Sequence, residues 1–242
     1  MSDLFSGKQQ TKTQSYTAED IEVLEGLEPV RRRPGMYIGG TDETAMHHLV
    51  NEVFDNAMDE AVAGFANKIE MELREDNVVV IRDNGRGIPV DPHPKFPKKS
   101  ALEVILTMLH SGGKFGGKVY DTSGGLHGVG ISVVNALSDY LVVEVIRDKT
   151  VYQQSYCRGE PTTKLEKIGQ DNRGKGTTVA FRPDSEIFGR GKLKPEKLYK
   201  LARSKAYLYR GVEIKWKCDP SLLSEDSEIP AEATIHFPGG LS

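Results

Sequence analysis

The stretch His47 to Gly64, HHLVNEVFDNAMDEAVAG, constrains the fold of this chain more than any other. Leu49, Val50, Val53, Phe54, Ala57, Met58, Ala61 and Val62 recur at i, i+3, i+4 and i+7, the period of an amphipathic helix. Thr41 or Asp42, after the Gly39-Gly40 turn, supplies its N-cap. The opposite face carries His48, Glu52, Asn56 and Glu60 at successive i+4 steps, with Asp55 and Asp59 beside them, so an imidazole, carboxylates and an amide share one row. Acidic stripes are common on solvated helices, but those usually interleave Lys or Arg for mutual support. None occurs between His47 and Gly64. The charge must therefore be balanced from elsewhere, and a divalent cation is the natural candidate. The Asn56 carboxamide oxygen is a hard-cation ligand, and Glu52 could then polarise a water.

The 242 residues and 38% hydrophobic content suffice for one large core. Lys and Arg number 32 against 35 Asp and Glu, a formal charge of -3. That balance gives no overall basic field for holding DNA, so nucleic-acid contacts are expected elsewhere. Cys157 and Cys218 lack CxxC spacing, which argues against a disulfide framework or structural zinc and fits a reducing cytoplasm. No apolar run reaches the roughly 18 residues needed to span a bilayer, and no signal-peptide core opens the chain, so a soluble, cytoplasmic protein without membrane contact is expected.

Along the chain, residues 1–15 are polar and aperiodic and predict a flexible N-terminal arm; residues 16–242 form the folded domain. Thr17 is the expected cap of a helix through AEDIEVLEGLEPVRRRP, ended by Pro34 and Gly35, with Arg31, Arg32 and Arg33 as its solvated end. Lys68 to Leu73 and Val78 to Ile81 predict an antiparallel pair turned at Glu75-Asp76-Asn77. The loop Asp83-Asn84-Gly85-Arg86-Gly87-Ile88-Pro89 follows. Its glycines permit close backbone approach to a ligand, and Asp83 offers an acceptor for an exocyclic amine. By itself this is also an ordinary Asp-Asn-Gly turn.

Residues 91–99, rich in Pro and Lys, predict an irregular loop, and Ala101 to His110 a helix. Glycines then crowd around Lys114 and through Ser123 to Gly130 (SGGLHGVG), opening a helix from Ile131 to Leu137. Free backbone N–H groups at such a helix start, with a nearby lysine, suit a phosphate. Neither GxxxxGK[ST] nor an early GxGxxG is present, and the segment from about Pro92 to Gly128 is expected to act as a lid. Strands are predicted at 140–146, 151–156, 163–168, 177–181, 212–216 and 233–236, with a helix at 195–207. The whole is one α/β sandwich on a largely antiparallel sheet. Thr177 either faces a pocket or is a plain strand threonine.

In order and spacing, EVFDNAMDEA, RDNGRGIP, LHSGGKF and SGGLHGVGISVVNALS closely resemble the N-terminal ATPase domain of bacterial type IIA topoisomerase B subunits. That family comprises the B subunits of DNA gyrase and of topoisomerase IV, within the superfamily that includes Hsp90, histidine kinases and MutL. RRRPGMYIGGTDE and HPKFPKKSALEVILTMLHSGGKF look closer to the topoisomerase IV branch. The resemblance covers roughly Tyr16 to Gly240. It implies a Bergerat-type ATP-binding fold, a two-layer α/β sandwich whose mixed, largely antiparallel sheet has helices on one face.

It also implies roles. Glu52 would be the general base for the attacking water and His48 its orienting neighbour. Asn56 would hold Mg2+ against the triphosphate of ATP, and Asp83 would accept the adenine amino group, with Thr177 holding that carboxylate and a water. Gly87, Ile88 and Pro89 would border adenine and ribose. Lys114 and the amides of Gly125, Leu126, His127, Gly128, Val129 and Gly130 would surround the phosphates. Tyr120 would touch the nucleotide from the lid, and Tyr16 would reach into the partner subunit's site. Arg86 and Arg147 would line the mouth, where coumarin-type inhibitors bind in this family. Asn84, where some members carry a second Asp, is a small departure.

The implied activity is ATP-driven DNA strand passage by a dimer of B subunits, with the topoisomerase IV A subunit cleaving DNA. Family members carry a further lysine, in a transducer domain, on the γ-phosphate. The chain stops before such a domain and is expected to be a fragment that binds ATP and Mg2+ but hydrolyses slowly. Among rivals, a sensor kinase needs an upstream phosphoacceptor histidine, and none precedes His47. An Hsp90-like clamp lacks the SGGLHGVGISVVNALS wording. A non-hydrolysing ATP-gated dimerisation module remains a description of the isolated fragment.

Overall fold

The computed structural model describes residues 24–109, 111, 130–172 and 174–239. Tyr16, Lys114, Tyr120 and Gly125 to Val129, and the expected N-terminal arm, lie outside the described residues. Helix α1 (Glu28–Arg32) and the turn α2 (Gly35–Ile38) lead into the long α3 (Glu43–Val62). Asp42 is the cap of α3, its side chain accepting from the Ala45 N–H at 2.8 Å. The single longer helix expected before Pro34 is corrected: Gly26 sits at φ 58 and the helix starts only beyond it, with Pro29 in its first turn. Arg31 is also not a solvated helix end, because its guanidinium donates to the Ala136 carbonyl at 2.8 Å and pairs with fully buried Asp184 at 2.9 Å.

Strands β1 (Lys68–Leu73) and β2 (Val79–Asp83) form the expected hairpin. Asn77 takes φ 64 in its turn. Residues 91–99 are not an irregular loop: β3 (Pro92–His93) pairs with β4 (Phe96–Ser100), prolines being tolerated in so short an isolated ribbon. Ser100 then caps α4 (Ala101–Thr107) by accepting from the Glu103 N–H. Leu102, Val104 and Leu106 of α4 are buried in the core, so the expected lid cannot begin at Pro92; this helix is a fixed part of the helical layer.

After α5 (Ile131–Ala136) come β5 (Ser138–Arg147) and β6 (Thr150–Cys157), joined through Asp148 and Lys149 at positive φ. Strands β7 (Glu160–Pro161), β8 (Glu166–Gln170) and β9 (Gly176–Pro183), short α6 (Ser185–Phe188), α7 (Pro195–Leu208), β10 (Glu213–Cys218) and β11 (Glu232–Ile235) complete the order. The nine-stranded sheet runs β11, β10, β1, β2, β9, β5, β6, β7, with β8 also on β6. Only the β1–β10 pair is parallel among the described strands.

Alternation along the strands turns Ile69, Met71, Ile81, Val143, Phe181, Ile214 and Trp216 toward one face, where α3, α5 and α7 lie. Trp216, the chain's single tryptophan, is 1% exposed, tilts against Tyr199 of α7 and donates its indole N–H to the Pro230 carbonyl at 2.8 Å. This is the two-layer α/β arrangement that the periodicity implied. No helix among the described residues is long and apolar enough to cross a membrane.

Candidate functional site

The site is built where β2 ends, β9 begins and α3 passes over both. The buried face of α3 (Leu49, Val50, Val53, Phe54, Ala57, Met58) seats it on the sheet, which leaves His48, Glu52, Asn56 and Glu60 half-buried along one side. The expected charge balance needs correcting. Asp55 is paired with Lys205 of α7 at 2.5 Å, Glu43 with Lys197 at 2.6 Å and Glu60 with Arg86 at 2.7 Å. Much of the counter-charge thus comes from elements far away in sequence, which periodicity along one helix cannot reveal.

Asp83, the last residue of β2, is 7% exposed. Its Oδ1 accepts from the Gly85 N–H at 2.8 Å, and the Thr177 backbone N–H also supports the carboxylate. Burial, and secondarily the Glu60 carboxylate, push its pKa up from 3.8 to about 6, against those two amides. The turn after it is pinned on every side. Asn84 Oδ1 accepts from the Asn67 and Lys68 N–H groups at 3.0 Å, and its amide donates to Asn67 Oδ1 at 2.7 Å. Glu60 Oε2 accepts from the Arg86 N–H at 2.9 Å and its Nε at 3.1 Å, while Oε1 takes Nη2 at 2.7 Å. The same guanidinium lies 3.7 Å from the Phe65 ring centroid.

Two glycines are required here by space. A Cβ at Gly85 would fall 2.7 Å from Glu60 Oε2 and 2.8 Å from Asp83 Oδ1, and one at Gly176 would collide with the Asp83 carbonyl. Thr177, the residue left open by sequence, faces the site: it is buried, and its Oγ1 accepts from the Ile88 N–H at 3.1 Å. Arg147, at the end of β5, donates to the Gly87 carbonyl at 2.8 Å. Asp83, Arg86, Gly87, Ile88, Pro89, Arg147 and Thr177 are therefore gathered at one end of the sheet. At the far end of the α3 row, Glu52 Oε2 accepts from the N–H of Gly130, the N-cap residue of α5, at 3.0 Å.

Sequence reasoning missed the work of Glu60, Gly85, Asn67 and Gly176. Glu60 had a visible signal in its i+4 step from Asn56; the partners of the other three are set only by the fold. Among the described residues no group of three or more His, Cys, Asp and Glu could hold a metal. Asn56 offers a hard carboxamide oxygen one turn from Glu52, which suits a cation that keeps its waters and takes phosphate oxygens, as Mg2+ does.

The site thus sets a buried carboxylate at the end of β2 beside the Glu and Asn row of α3. The chain belongs to the histidine kinase-, DNA gyrase B-, and HSP90-like ATPase family, whose pattern residues 41–187 match, and membership implies ATP binding. Within that family it is similar to the B subunit of DNA topoisomerase 4 from Caulobacter vibrioides, 62% identical over 94% of this chain and 32% of that protein. The corresponding Rickettsia bellii protein is 59% identical over 100% and 37% of the two chains. The B subunit of Thermotoga maritima DNA gyrase is 50% identical over 94% and 34%. The chain thus spans about a third of the length of these curated relatives. Among solved structures, the 43K ATPase domain of Thermus thermophilus gyrase B in complex with an aminocoumarin superposes with a TM-score of 0.75. It is 42% identical and covers 88% of this chain and 52% of that one.

Proposed function

We propose that this chain is the ATP-binding and hydrolysing module of a type II DNA topoisomerase, of the topoisomerase IV B-subunit kind, driving dimer closure for strand passage. The observation that carries the reading is the direction of the α3 row. Glu60 touches the loop beside Asp83 at one end and Glu52 reaches Gly130 at the other, eight residues or roughly 12 Å along the axis. That is about the reach of an extended nucleoside triphosphate. Adenine lies at Asp83, its amino group donating to the carboxylate, with Gly87, Ile88 and Pro89 along its edge and Thr177 holding both the acid and the loop. The phosphates lie toward Gly130, with Lys114 and the amides of Gly125 to Val129 around them.

Asn56 holds Mg2+, which when bound neutralises phosphate charge. Glu52 accepts the proton of the attacking water, and His48, one turn earlier, orients Glu52. Tyr120 contacts the nucleotide and Tyr16 the site of a second copy in the dimer. The intact enzyme works with A subunits on DNA. Arg86 and Arg147 flank the mouth at which coumarin-type inhibitors compete, a reading supported by the aminocoumarin in the gyrase B relative. The higher identity to topoisomerase 4 than to gyrase relatives supports the choice of branch. Residues 1–15 serve as the arm that precedes the domain.

The test is calorimetric titration of a non-hydrolysable ATP analogue with Mg2+ into the parent chain, Asp83→Asn and Asn56→Ala. Binding by the parent that weakens roughly 10- to 100-fold with Asp83→Asn, and is made independent of Mg2+ by Asn56→Ala, is expected. Equal binding by all three would overturn the site.

A further inference from the structure

Residues 190–210 carry eight Lys and Arg against one Glu, in a chain whose formal charge is -3. The structure lays this charge out as a stripe. Arg190, Lys192 and Lys194 are exposed on the loop entering α7, and Lys197, Lys200 and Arg203 follow at i+3 steps on its exposed side, away from buried Leu198, Ala202 and Ala206. Steps of three residues are roughly 4.5 Å of rise, so the cations run in file.

Little opposes them. Lys197 pairs with Glu43 and Arg203 lies 5.9 Å from the Tyr199 ring, while Arg190, Lys192, Lys194 and Lys200 make no ion pair among the described residues. The nearby acids are Glu43, Glu196 on α7, and, across a cleft of about 600 Å³ that Arg190 and Lys192 help line, Asp76 and Asp139, the latter already paired with Arg182 at 2.8 Å. The outer face of the sheet is different. There Lys215 and Lys217 of β10 stand opposite Glu70 and Glu72 of β1, and Lys217 also faces Glu232 at 3.9 Å. Lysines that serve only solubility are interspersed with acids in that way.

We propose that the α7 stripe is an interaction surface for the phosphate backbone of duplex DNA. It rests on the topoisomerase reading, which puts DNA beside this domain. A file of cations along a helix and the loop that enters it, four of the six without an ion-pair partner or ring contact among the described residues, is what a regularly charged polyanion requires, and the contact is sequence-independent because nothing in the stripe is shaped to read base edges. The chain-wide charge that argued against DNA averages over this local field.

The experiment is binding of a short fluorescein-labelled duplex, followed by anisotropy over a salt series. The parent is compared with the triple variant Lys192→Gln, Lys194→Gln, Lys200→Gln and with the double variant Lys215→Gln, Lys217→Gln. Analogue binding is measured on the same samples. All five positions are exposed and lie outside the nucleotide site. The slope of log affinity against log salt is expected to fall by about 0.9 for each phosphate contact removed in the triple variant and to stay unchanged in the double. Equal slopes in parent and triple, equal losses in triple and double, or binding of polyglutamate but not duplex would each overturn the stripe. Any of these with intact analogue binding leaves the ATPase reading standing, whereas a parent that binds no analogue overturns that reading instead.

Discussion

Asp83 holds its charge against its surroundings. With a folded pKa near 6 against an ordinary 3.8, the folded chain takes up a proton at a pH where the unfolded chain has released it. The ionised carboxylate therefore destabilises the fold. That penalty is fully present above about pH 6 and disappears below the unfolded value. Asp83→Asn is expected to raise stability at pH 7 to 8, on the order of 1 to 3 kcal/mol, with the gain shrinking as pH falls toward 4. It is also expected to weaken nucleotide binding roughly 10- to 100-fold, through loss of a charged acceptor. Denaturant melts across pH and a binding titration check the two halves, and a variant less stable at pH 8 would refute the first. Glu52→Gln separates chemistry from binding: analogue affinity is expected to hold within a few-fold while turnover drops roughly 100- to 10,000-fold in a steady-state phosphate-release assay.

Between elements, the telling joint is His47. Its ring bridges α3 and the chain entering α7: Nδ1–H donates to the Glu43 carbonyl at 2.7 Å and Nε2 accepts from the Lys194 N–H at 3.0 Å. Only the neutral ring makes both bonds. Burial lowers its pKa, with Lys197 and Lys194 adding to that and the Glu43 carbonyl and carboxylate opposing it. Because the folded value is depressed, the joint's stability is complete above the unfolded 6.5 and is lost as pH falls below it. His47→Gln is expected to cost about 1 kcal/mol at neutral pH and to flatten the decline in Tm between about pH 7 and 5, measured by thermal melts. An unchanged slope would show that the joint does not titrate.

The helices and strands on either side of such joints were largely legible, because α3, α7 and most strands of the main sheet bury one face and so carry a period; β8, exposed throughout, carries none, and it lies at Glu166–Gln170 rather than at the expected 163–168. Residues 91–99 were not, since Pro and Lys content masks a ribbon with little to bury. The start of α1 was missed because one left-handed glycine outweighs a helical pattern. In the site, the α3 row and the Asp83 loop were visible as residue types at fixed spacing. The contacts of Glu60 with Arg86, Gly176 with Asp83 and Asp55 with Lys205 were not, because each joins segments separated by at least 26 residues.

At the scale of the whole molecule, the site draws on α3 and β2 from the first half of the chain and on β5 and β9 from the second. A bound nucleotide therefore ties together strands that pair only in the finished sheet. Saturating analogue is expected to raise the Tm of one cooperative transition rather than of a subset of the fold, with about 2.7 kcal/mol of stabilisation at a hundred times Kd. Scanning calorimetry showing two transitions, only one of them shifted, would contradict this.

Trp216 gives that experiment an optical counterpart. As the sole indole, sealed between β10 and α7 and tied to Pro230, it emits from the seam between sheet and helices rather than from the pocket. Its fluorescence should stay almost constant while the pocket fills and shift to the red in one step when the sheet and helices part. The integrity of the fold can then be followed in the unlabelled chain whatever the ligand occupancy.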